Sequence, residues 1–426
     1  MLTRAPMGWN SWDCYGPSVT EETVRANARV MAEELKKYGW EYVVVDIQWY
    51  APRASSHNYD PFADLSMDEY GRLLPAENRF PSAAGGQGFR PLADYVHSLG
   101  LKFGIHIMRG IPRQAVHRNT PVYGTKVHAR DIAKTASICA WNTDMYGVDP
   151  ARPGAREYYE SIFSLYASWG VDFIKCDDIC RELPHEEAEL VLLSDCLKNC
   201  GREMVLSLSP GPALLEKAQL YKDCAQMWRI TDDFWDKWEL LYAMFERCEK
   251  WSIHTGPDSW PDADMLPLGA ILQNQSPDHR SKFTPDEQQT MMILWCIFRS
   301  PLMMGGDLTK LDDATRALLT NEGLLSMHRD ARHAHQVWRR EVNGVETILW
   351  TAPRAGGGQY AAVFNAGEAP VTVSVPLTDL ELLAPCTEVR DILTGAPVPV
   401  TGTDDAAALT AALPAHGSRA YLISAT

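Results

Sequence analysis

The sequence lacks the features that mark several large classes of protein. No G-x-G-x-x-G segment follows an apolar run and no G-x-x-x-x-G-K-[ST] segment occurs, so the common nucleotide-binding sites have no support. No apolar run approaches the roughly 18 residues that a membrane span requires, and the run at 291–298 is far shorter. No repeat of fixed period is present.

Positive charge is also scarce. The chain has 40 lysine and arginine residues against 55 aspartate and glutamate residues, which gives a formal net charge of −15 at pH 7. Such an acidic surface is repelled by a phosphate backbone. We therefore expect a neutral or cationic partner rather than a nucleic acid or a membrane, and the sequence predicts no oligomeric state.

The ten cysteines are too sparse among 426 residues for a disulfide scaffold. Cys176 and Cys180 form one close pair and Cys196 and Cys200 another, but neither pair has a partner at zinc-site spacing. We interpret most of them as buried thiols and expect no metal and no cofactor. The first residues hold no apolar core of a signal peptide, so we expect a cytoplasmic, thiol-reducing location.

The first two-thirds of the chain alternate short apolar runs with amphipathic helical patterns. Such alternation is typical of α/β proteins with a parallel sheet. The predicted strands lie at 7–9, 41–47, 102–107, 169–178, 204–209, 226–231, 252–255 and 301–305. Eight βα units in about 330 residues predict a closed (β/α)8 TIM barrel rather than an open doubly wound sheet.

The pattern changes near residue 334. Runs of period two follow, and turn segments rich in glycine and asparagine separate them. This predicts a small C-terminal antiparallel β-sandwich. We therefore divide the chain into a catalytic barrel at 1–330 and a β-sandwich domain at 334–426, whose expected role is to cover one side of the barrel.

The stretch 169–178 is an apolar strand that ends in charge. Lys175, Asp177 and Asp178 come where the strand should stop. A lysine and two carboxylates are not left unpaired in a dry core, so we expect them at the open carboxyl end of the sheet, where barrel enzymes build their sites. The alternative is a structural ion pair between Lys175 and a neighbouring carboxylate.

Acidic or polar side chains recur at the ends of other predicted strands. Examples are Asp46, Ser209, Asp232 and Asp233, and in a barrel all of them converge on one mouth. Two carboxylates there are what hydrolysis of a glycosidic bond requires. Aromatic faces suit sugar rings, and tryptophans near the same strand ends are Trp9, Trp49, Trp141, Trp228, Trp235 and Trp260.

Seven segments resemble, in their order along the chain, the motifs of family 27 of the glycoside hydrolases, which holds α-galactosidases and α-N-acetylgalactosaminidases. They are Met7-Gly-Trp-Asn-Ser-Trp, Tyr42-Val-Val-Val-Asp46, Lys102-Phe-Gly-Ile, Trp169-Gly-Val-Asp-Phe-Ile-Lys-Cys-Asp177, Trp228-Arg-Ile-Thr-Asp-Asp233, Trp260-Pro-Asp-Ala-Asp-Met-Leu and Ser300-Pro-Leu-Met. The resemblance covers about residues 7–310, essentially the whole barrel.

The resemblance implies a retaining double displacement on a terminal α-galactosyl-type residue. Asp177 matches the nucleophile, which Lys175 and other donors should hold ionised, and Asp233 matches the acid/base. Asp232 is a like charge that would help Asp233 to keep its proton. The implied contacts with the sugar are Trp9 as platform, Asp46 on the O4/O6 side, Lys175 and Arg229 at hydroxyls near the nucleophile, and Met265 on the wall.

Two departures from the family pattern bear on the choice of sugar. Asp46-Ile47 stands where the family has two adjacent aspartates, which suits a sugar without a hydroxymethyl group such as β-L-arabinopyranose. Ser209-Pro210-Gly211 replaces Cys-Glu-Trp and predicts room for a 2-acetamido group. We expect an α-galactosidase, with α-N-acetylgalactosaminidase and β-L-arabinopyranosidase as alternatives.

Two hypotheses from other classes remain. His106, His117 and His128 with the carboxylates allow a metal-dependent barrel hydrolase, although their spacing is not that of a metal motif. A non-catalytic sugar-binding relative is disfavoured by the presence of both Asp177 and Asp233. The long connection 108–154 is typical of a lid or substrate loop, and we expect it to restrict the pocket to short oligosaccharides.

Overall fold

A computed structural model describes residues 2–55, 59, 63–181, 186–382 and 385–425. Eight parallel strands form the first sheet: β1 Met7–Asn10, β2 Tyr42–Val45, β3 Lys102–Met108, β4 Phe173–Asp177, β5 Val205–Leu208, β6 Met227–Arg229, β7 Trp260–Asp262 and β8 Leu302–Met304. Their spatial order is β7-β6-β5-β4-β3-β2-β1-β8. A parallel bridge between Leu266 and Met304 joins the two ends, so the sheet closes into the predicted barrel.

A helix follows each strand. The helices are α1 Glu21–Val30, α2 Arg90–Ser98, α3 Ala155–Trp169, α4 Glu187–Lys198, α5 Ala218–Cys224, α6 Trp238–Trp251, α7 Pro285–Phe298, α8 Asp313–Leu319 and α9 Glu322–Asp330. The side chain of Thr20 caps α1, and that of Thr284 caps α7 with Pro285 at the first helical position. Gly170 ends α3 in the left-handed conformation that glycine adopts at little cost.

The prediction for the seventh strand is wrong. Ser252–His254 is a 3-10 turn, and Ile253 in it is 82% exposed. The strand is Trp260–Asp262, which pairs in parallel with β6. A three-residue strand that contains a proline has too little alternation to be recognised, whereas the β-branched residues at 252–255 imitate a strand.

The connection after β3 has structure of its own. Ile111–Pro112, Met145–Val148 and Ala133–Ile138 form a small antiparallel sheet with Met145–Val148 in the middle. The short helices Arg113–Arg118 and Ala129–Ile132 lie between these strands along the chain. Another short helix, Trp12–Tyr15, follows β1. Both connections carry side chains to the carboxyl end of the barrel.

The C-terminal part is the predicted antiparallel β-sandwich. Its strands are β9 His335–Val342, β10 Val345–Pro353, β11 Gln359–Asn365, β12 Val371–Pro376, β13 Cys386–Asp391, β14 Ala408–Leu413 and β15 Ser418–Ala425. The order β9-β10-β11-β15-β13 forms one sheet and β12 pairs with β14. Phe364 of β11 packs edge-on against Phe245 of α6 at 5.0 Å, so the sandwich covers one side of the barrel.

All ten cysteines lie within the described ranges, and none of them forms a disulfide. Eight are buried, as the sequence predicts. In the described part of the chain, no helix has both the length and the apolar character needed to cross a membrane.

A buried histidine joins α9 to the segment that enters β8. His328 Nε2 lies 2.7 Å from the carbonyl oxygen of Ser300, and Arg299 Nε donates to the carbonyl oxygen of His328. Because a carbonyl only accepts, the neutral imidazole donates its Nε2 proton. Burial lowers the pKa of His328 to about 4.

The pKa of His328 predicts a loss of stability in mild acid. The unfolded chain takes up a proton as the pH falls through about 6.5, whereas the folded chain does so only near pH 4. We expect this residue to lower the free energy of unfolding by about 2 kcal/mol between pH 7.5 and pH 5. Urea unfolding of the wild type and His328→Gln at both pH values measures it. Equal losses in the two proteins would contradict the prediction.

Candidate active site

A cavity of about 270 Å³ lies at the carboxyl ends of the barrel strands. Six of the eight predicted site residues line it: Asp46, Lys175, Asp177, Arg229, Asp233 and Met265. The other lining residues are Trp12, Asp13, Ile47, Tyr59, Trp141, Arg181, Pro210, Asp232, Phe234, Trp235 and Asp264. The barrel therefore brings most of the predicted site together from distant parts of the chain.

Asp177 ends β4 and is held by two hydrogen bonds. Ser209 Oγ donates to its Oδ1 at 2.5 Å, and His106 Nε2 lies 2.8 Å from its Oδ2. Burial would raise the pKa of Asp177, but the Lys175 ammonium and these two donors lower it well below the usual range. Asp177 is therefore an ionised carboxylate near neutral pH.

Lys175 lies two residues before Asp177 on the same strand. Its Nζ donates to Asp46 Oδ2 at 2.8 Å, and Asn10 Nδ2 donates to the same oxygen. Burial would lower the pKa of Lys175, yet the charges of Asp46 and Asp177 raise it. The ion pair considered from the sequence is therefore real, and it lies in the wall of the cavity rather than in the core.

Asp233 is the second predicted catalytic carboxylate. Its side chain is 57% exposed, and its Oδ1 lies 2.9 Å from Arg229 Nη2. The same nitrogen lies 2.8 Å from Asp264 Oδ2, which is buried. Burial has the largest effect and raises the pKa of Asp264. The charge of Arg229 opposes it, whereas the charges of Asp233 and Asp262 add to it, and the resulting pKa is about 7. Arg229 thus joins a solvent-exposed carboxylate to a buried one.

Asp232 does not act on Asp233 as an isolated like charge. Its Oδ2 lies 2.7 Å from Arg181 Nη1, and its Oδ1 accepts a hydrogen bond from the backbone nitrogen of Asp233. Arg181 therefore offsets part of the negative charge of Asp232.

Trp9 is not a platform of the cavity. It is fully buried, and its Nε1 donates to the carbonyl oxygen of Gly306 at 2.9 Å. Trp12, three residues later, lines the cavity instead and stacks on Tyr59 with ring centroids 5.7 Å apart. Trp141 from the long connection also packs against Tyr59, with ring centroids 5.5 Å apart. Among the other predicted tryptophans, Trp49, Trp228 and Trp260 are fully buried and Trp235 lines the cavity.

Ser209 also lies outside the cavity lining, beneath Asp177. Its side chain is engaged by that carboxylate, and Pro210 after it lines the cavity. Gly211 is required by close packing, because a Cβ there would lie 2.3 Å from the carbonyl oxygen of Thr231. This segment therefore contributes to the site through the position of its backbone and through the hydroxyl of Ser209.

Several residues that line the cavity or contact Asp177 were not identified as such from the sequence. Trp12, Asp13 and Asp264 lie inside the quoted motifs or directly after them, so the motifs point to the right segments without choosing the residue. His106 pairs in register with Lys175 across β3 and β4. Aligning the two strand ends would have placed it beside Asp177 rather than at a metal.

The histidines do not gather around a metal site. His117 and His128 are exposed, whereas His106 is fully buried against Asp177. No group of three potential metal ligands that could hold an ion occurs within the ranges that the structure describes. The metal-dependent alternative therefore has no ligand set there.

Two carboxylates with contrasting surroundings at a barrel mouth, beside flat aromatic walls, are what cleavage of a glycosidic bond requires, and the protein is a glycoside hydrolase. A family model of α-galactosidase A matches residues 5–152 and 148–330, and a model of the α-galactosidase C-terminal β-sandwich domain matches residues 345–423. The chain belongs to glycoside hydrolase family 27 and is a retaining glycosidase.

Known proteins of this family are similar over almost the whole chain. A family 27 β-L-arabinopyranosidase from Geobacillus stearothermophilus is 54% identical with a TM-score of 0.94, covering 99% of this chain and 96% of that one. A candidate α-N-acetylgalactosaminidase from Bacillus halodurans is 49% identical, with a TM-score of 0.88 and complete coverage of both chains. An α-galactosidase from Cyamopsis tetragonoloba is 26% identical over 88% of this chain and 76% of its own.

The hydrogen bond from His106 predicts a change in the pH profile. In His106→Phe the pKa of Asp177 should rise, because one donor to the carboxylate is lost while its burial remains. The acid limb of kcat/KM should then move to higher pH, and kcat/KM at pH 7 should fall about tenfold or more, since a hydrogen bond to a charged group contributes about 1.5–3 kcal/mol.

The matched control is His97→Phe. His97 Nε2 lies 2.7 Å from Asp172 Oδ2, a similar pair near the opposite end of the barrel. This variant should keep the wild-type pH profile. A shift of the acid limb in the control, or none in His106→Phe, would contradict the assignment.

Proposed function

We propose that this enzyme is a β-L-arabinopyranosidase that releases terminal β-L-arabinopyranosyl residues. The observation that carries the proposal is Ile47, whose apolar side chain lines the cavity next to Asp46. The proposal replaces the α-galactosidase expected from the sequence with one of its alternatives. The likeness to the Geobacillus stearothermophilus β-L-arabinopyranosidase, at 54% identity, supports it.

Ile47 is held in place by its backbone. Its amide nitrogen donates to Asp46 Oδ1 at 2.8 Å, and the residue is 1% exposed. β-L-Arabinopyranose has the ring stereochemistry of α-galactose but lacks the hydroxymethyl group. A hydroxymethyl oxygen brought against Ile47 would lose water without gaining a partner, which costs about 1–3 kcal/mol.

A sugar bound to a similar protein supports the same proposal. A variant of the Geobacillus stearothermophilus enzyme was crystallised in complex with arabinose, and it is 54% identical to this chain over its full length with a TM-score of 0.94. We therefore take arabinose as the sugar that fits the cavity of this enzyme.

The chemistry we propose is a double displacement. Asp177, ionised, attacks the anomeric carbon and forms a covalent glycosyl-enzyme, while Asp233 protonates the leaving oxygen. Asp233 then removes a proton from water, which attacks the same carbon and releases the sugar with retained configuration. Lys175 and Asp46 hold ring hydroxyls beside the nucleophile. Arg229 orients Asp233, and the exposure of Asp233 lets it exchange protons with solvent.

A second candidate is an α-N-acetylgalactosaminidase. The 49% identity to the Bacillus halodurans protein favours it. Against it stand Pro210 and the ion pair of Arg181 with Asp232, which all line the cavity on the side where the acetamido group was expected.

Removing each carboxylate tests the two chemical roles. Asp177→Gly should lose activity on every leaving group, and added azide should restore turnover with a glycosyl azide of inverted configuration. Asp233→Gly should slow turnover by about 10²–10⁴-fold on a poor leaving group, less on dinitrophenyl, and azide should give the retained product. Rates and product configuration by NMR measure both.

Asp232→Gly is the control for these variants. It removes a neighbouring carboxylate of similar exposure, and its rate should stay within a few fold of wild type on all leaving groups. If Asp232→Gly behaved as we expect for Asp233→Gly, the acid/base role would pass to Asp232.

Ile47→Asp tests the choice of sugar. The wild type should prefer nitrophenyl β-L-arabinopyranoside over the α-galactoside and the α-N-acetylgalactosaminide. A carboxylate at position 47 should give the hydroxymethyl oxygen a partner and shift the ratio of kcat/KM values toward the α-galactoside by about 10–100-fold. Ile47→Leu, which stays apolar, should leave the ratio nearly unchanged. A wild type that prefers the α-galactoside would overturn the proposed function.

A further inference from the structure

Asp13 is a buried carboxyl in the cavity wall that the reaction described above does not use. It lies in the short helix after β1, lines the cavity and is 2% exposed. Its Oδ2 has no hydrogen-bond partner among the residues that the structure describes. Buried polar atoms are nearly always paired, so an unpaired one calls for an explanation, and a ligand site is one of the few available.

Gly305, directly after β8, makes room for this carboxyl. A Cβ at Gly305 would lie 2.0 Å from Asp13 Oδ2 and 2.7 Å from Asp13 Cγ. The backbone angle of Gly305 is one that other residues adopt, because it is not among the positive-φ glycines. Glycine is therefore required here by the close approach of Asp13.

The surroundings of Asp13 favour its uncharged form. Burial raises the pKa of Asp13 well above the usual range, and the charge of Asp264 adds to the effect; Lys175 and Arg229 oppose it. These two cations already pair with Asp46, Asp233 and Asp264 at 2.8–2.9 Å. A neutral carboxylic acid offers one O–H donor, which an ionised one lacks.

The strand order places Asp13 across the mouth from the nucleophile. Around the closed sheet, β8 and β1 lie opposite β4 and β5. Asp13 follows β1 and contacts Gly305 after β8, whereas Asp177 ends β4. A pyranose whose anomeric carbon is at Asp177 directs its far side, around C4, toward the part of the wall that contains Asp13.

We propose that Asp13, as an uncharged carboxylic acid, donates a hydrogen bond to a ring hydroxyl on the side of the sugar away from its anomeric carbon. This specificity role rests on the proposed function for the identity of the sugar. The bond would come from the carboxyl oxygen that does not face Gly305, because Oδ2 is buried against that residue. This role explains why a carboxyl with so few partners is kept in a cavity wall that is already acidic.

The test compares Asp13→Asn with Asp13→Leu. The amide is uncharged and keeps a donor, so Asp13→Asn should bind L-arabinose within about threefold of wild type by calorimetry. Leucine has similar size and no donor, so Asp13→Leu should weaken binding about tenfold or more and raise KM on nitrophenyl β-L-arabinopyranoside more than it lowers kcat. Thermal unfolding of each variant shows whether it is folded.

Monodeoxy L-arabinopyranoses provide the internal control. For the sugar that lacks the bound hydroxyl, wild type and Asp13→Leu should bind equally well, which identifies the hydroxyl. Two results overturn the proposal. Unchanged L-arabinose binding by a folded Asp13→Leu would make Asp13 purely structural, and an equal loss in Asp13→Asn would show that an uncharged donor does not suffice at this position.

The test of the proposed function is independent of the test of Asp13. If the wild type hydrolyses the α-galactoside in preference, the same two variants are measured with D-galactose and its monodeoxy forms. The pattern expected for Asp13→Asn and Asp13→Leu is the same for either sugar, because the proposal concerns a ring hydroxyl that both sugars share.

Discussion

The ammonium of Lys175 is the charge on which the site depends. Asp46 and Asp177 are both buried, and two buried carboxylates at one site would not both stay ionised without a nearby cation. Lys175 binds Asp46 directly and lowers the pKa of Asp177 from the same strand. The barrel makes this possible because only β3 separates β2 from β4, so residues far apart in sequence meet at one mouth.

The strand end that carries Asp177, the proposed nucleophile, is held by contacts of the next residue. Asp178 has φ of 62°, which aspartate tolerates better than most residues. The buried side chain of Arg109 donates to its carbonyl oxygen and its Oδ2, both at 2.7 Å, and also reaches Glu189. The surroundings of Asp233 differ, since it lies beyond β6 and its side chain is exposed to solvent. One carboxylate is thus buried and kept ionised, while the other is exposed to water.

The sequence predicts segments better than individual side chains. Seven of the eight barrel strands lie where the sequence has a short apolar run. The buried charged residues Asp46, Lys175, Asp177 and Arg229 reach the cavity because a buried charge has few other places to be. Tryptophan carries no such constraint. The indole N–H of Trp9 has a hydrogen-bond acceptor in the core, so only three-dimensional packing decides whether Trp9 or Trp12 lines the cavity. The position of His106 beside Asp177 depends on the register between β3 and β4. The apolar pattern within one βα unit does not determine that register.

Specificity in this cavity combines two physical effects of different strength. An apolar wall such as Ile47 discriminates against an added hydroxymethyl group by only about 1–3 kcal/mol, so it restricts the substrate without excluding a close relative. A buried donor that a sugar leaves unpaired discriminates more strongly, because its lost hydration is not recovered. Asp13 and the Lys175–Asp46 pair would therefore select the ring hydroxyls shared by galactose and arabinopyranose. Under the proposed function, Ile47 would then decide between these two sugars.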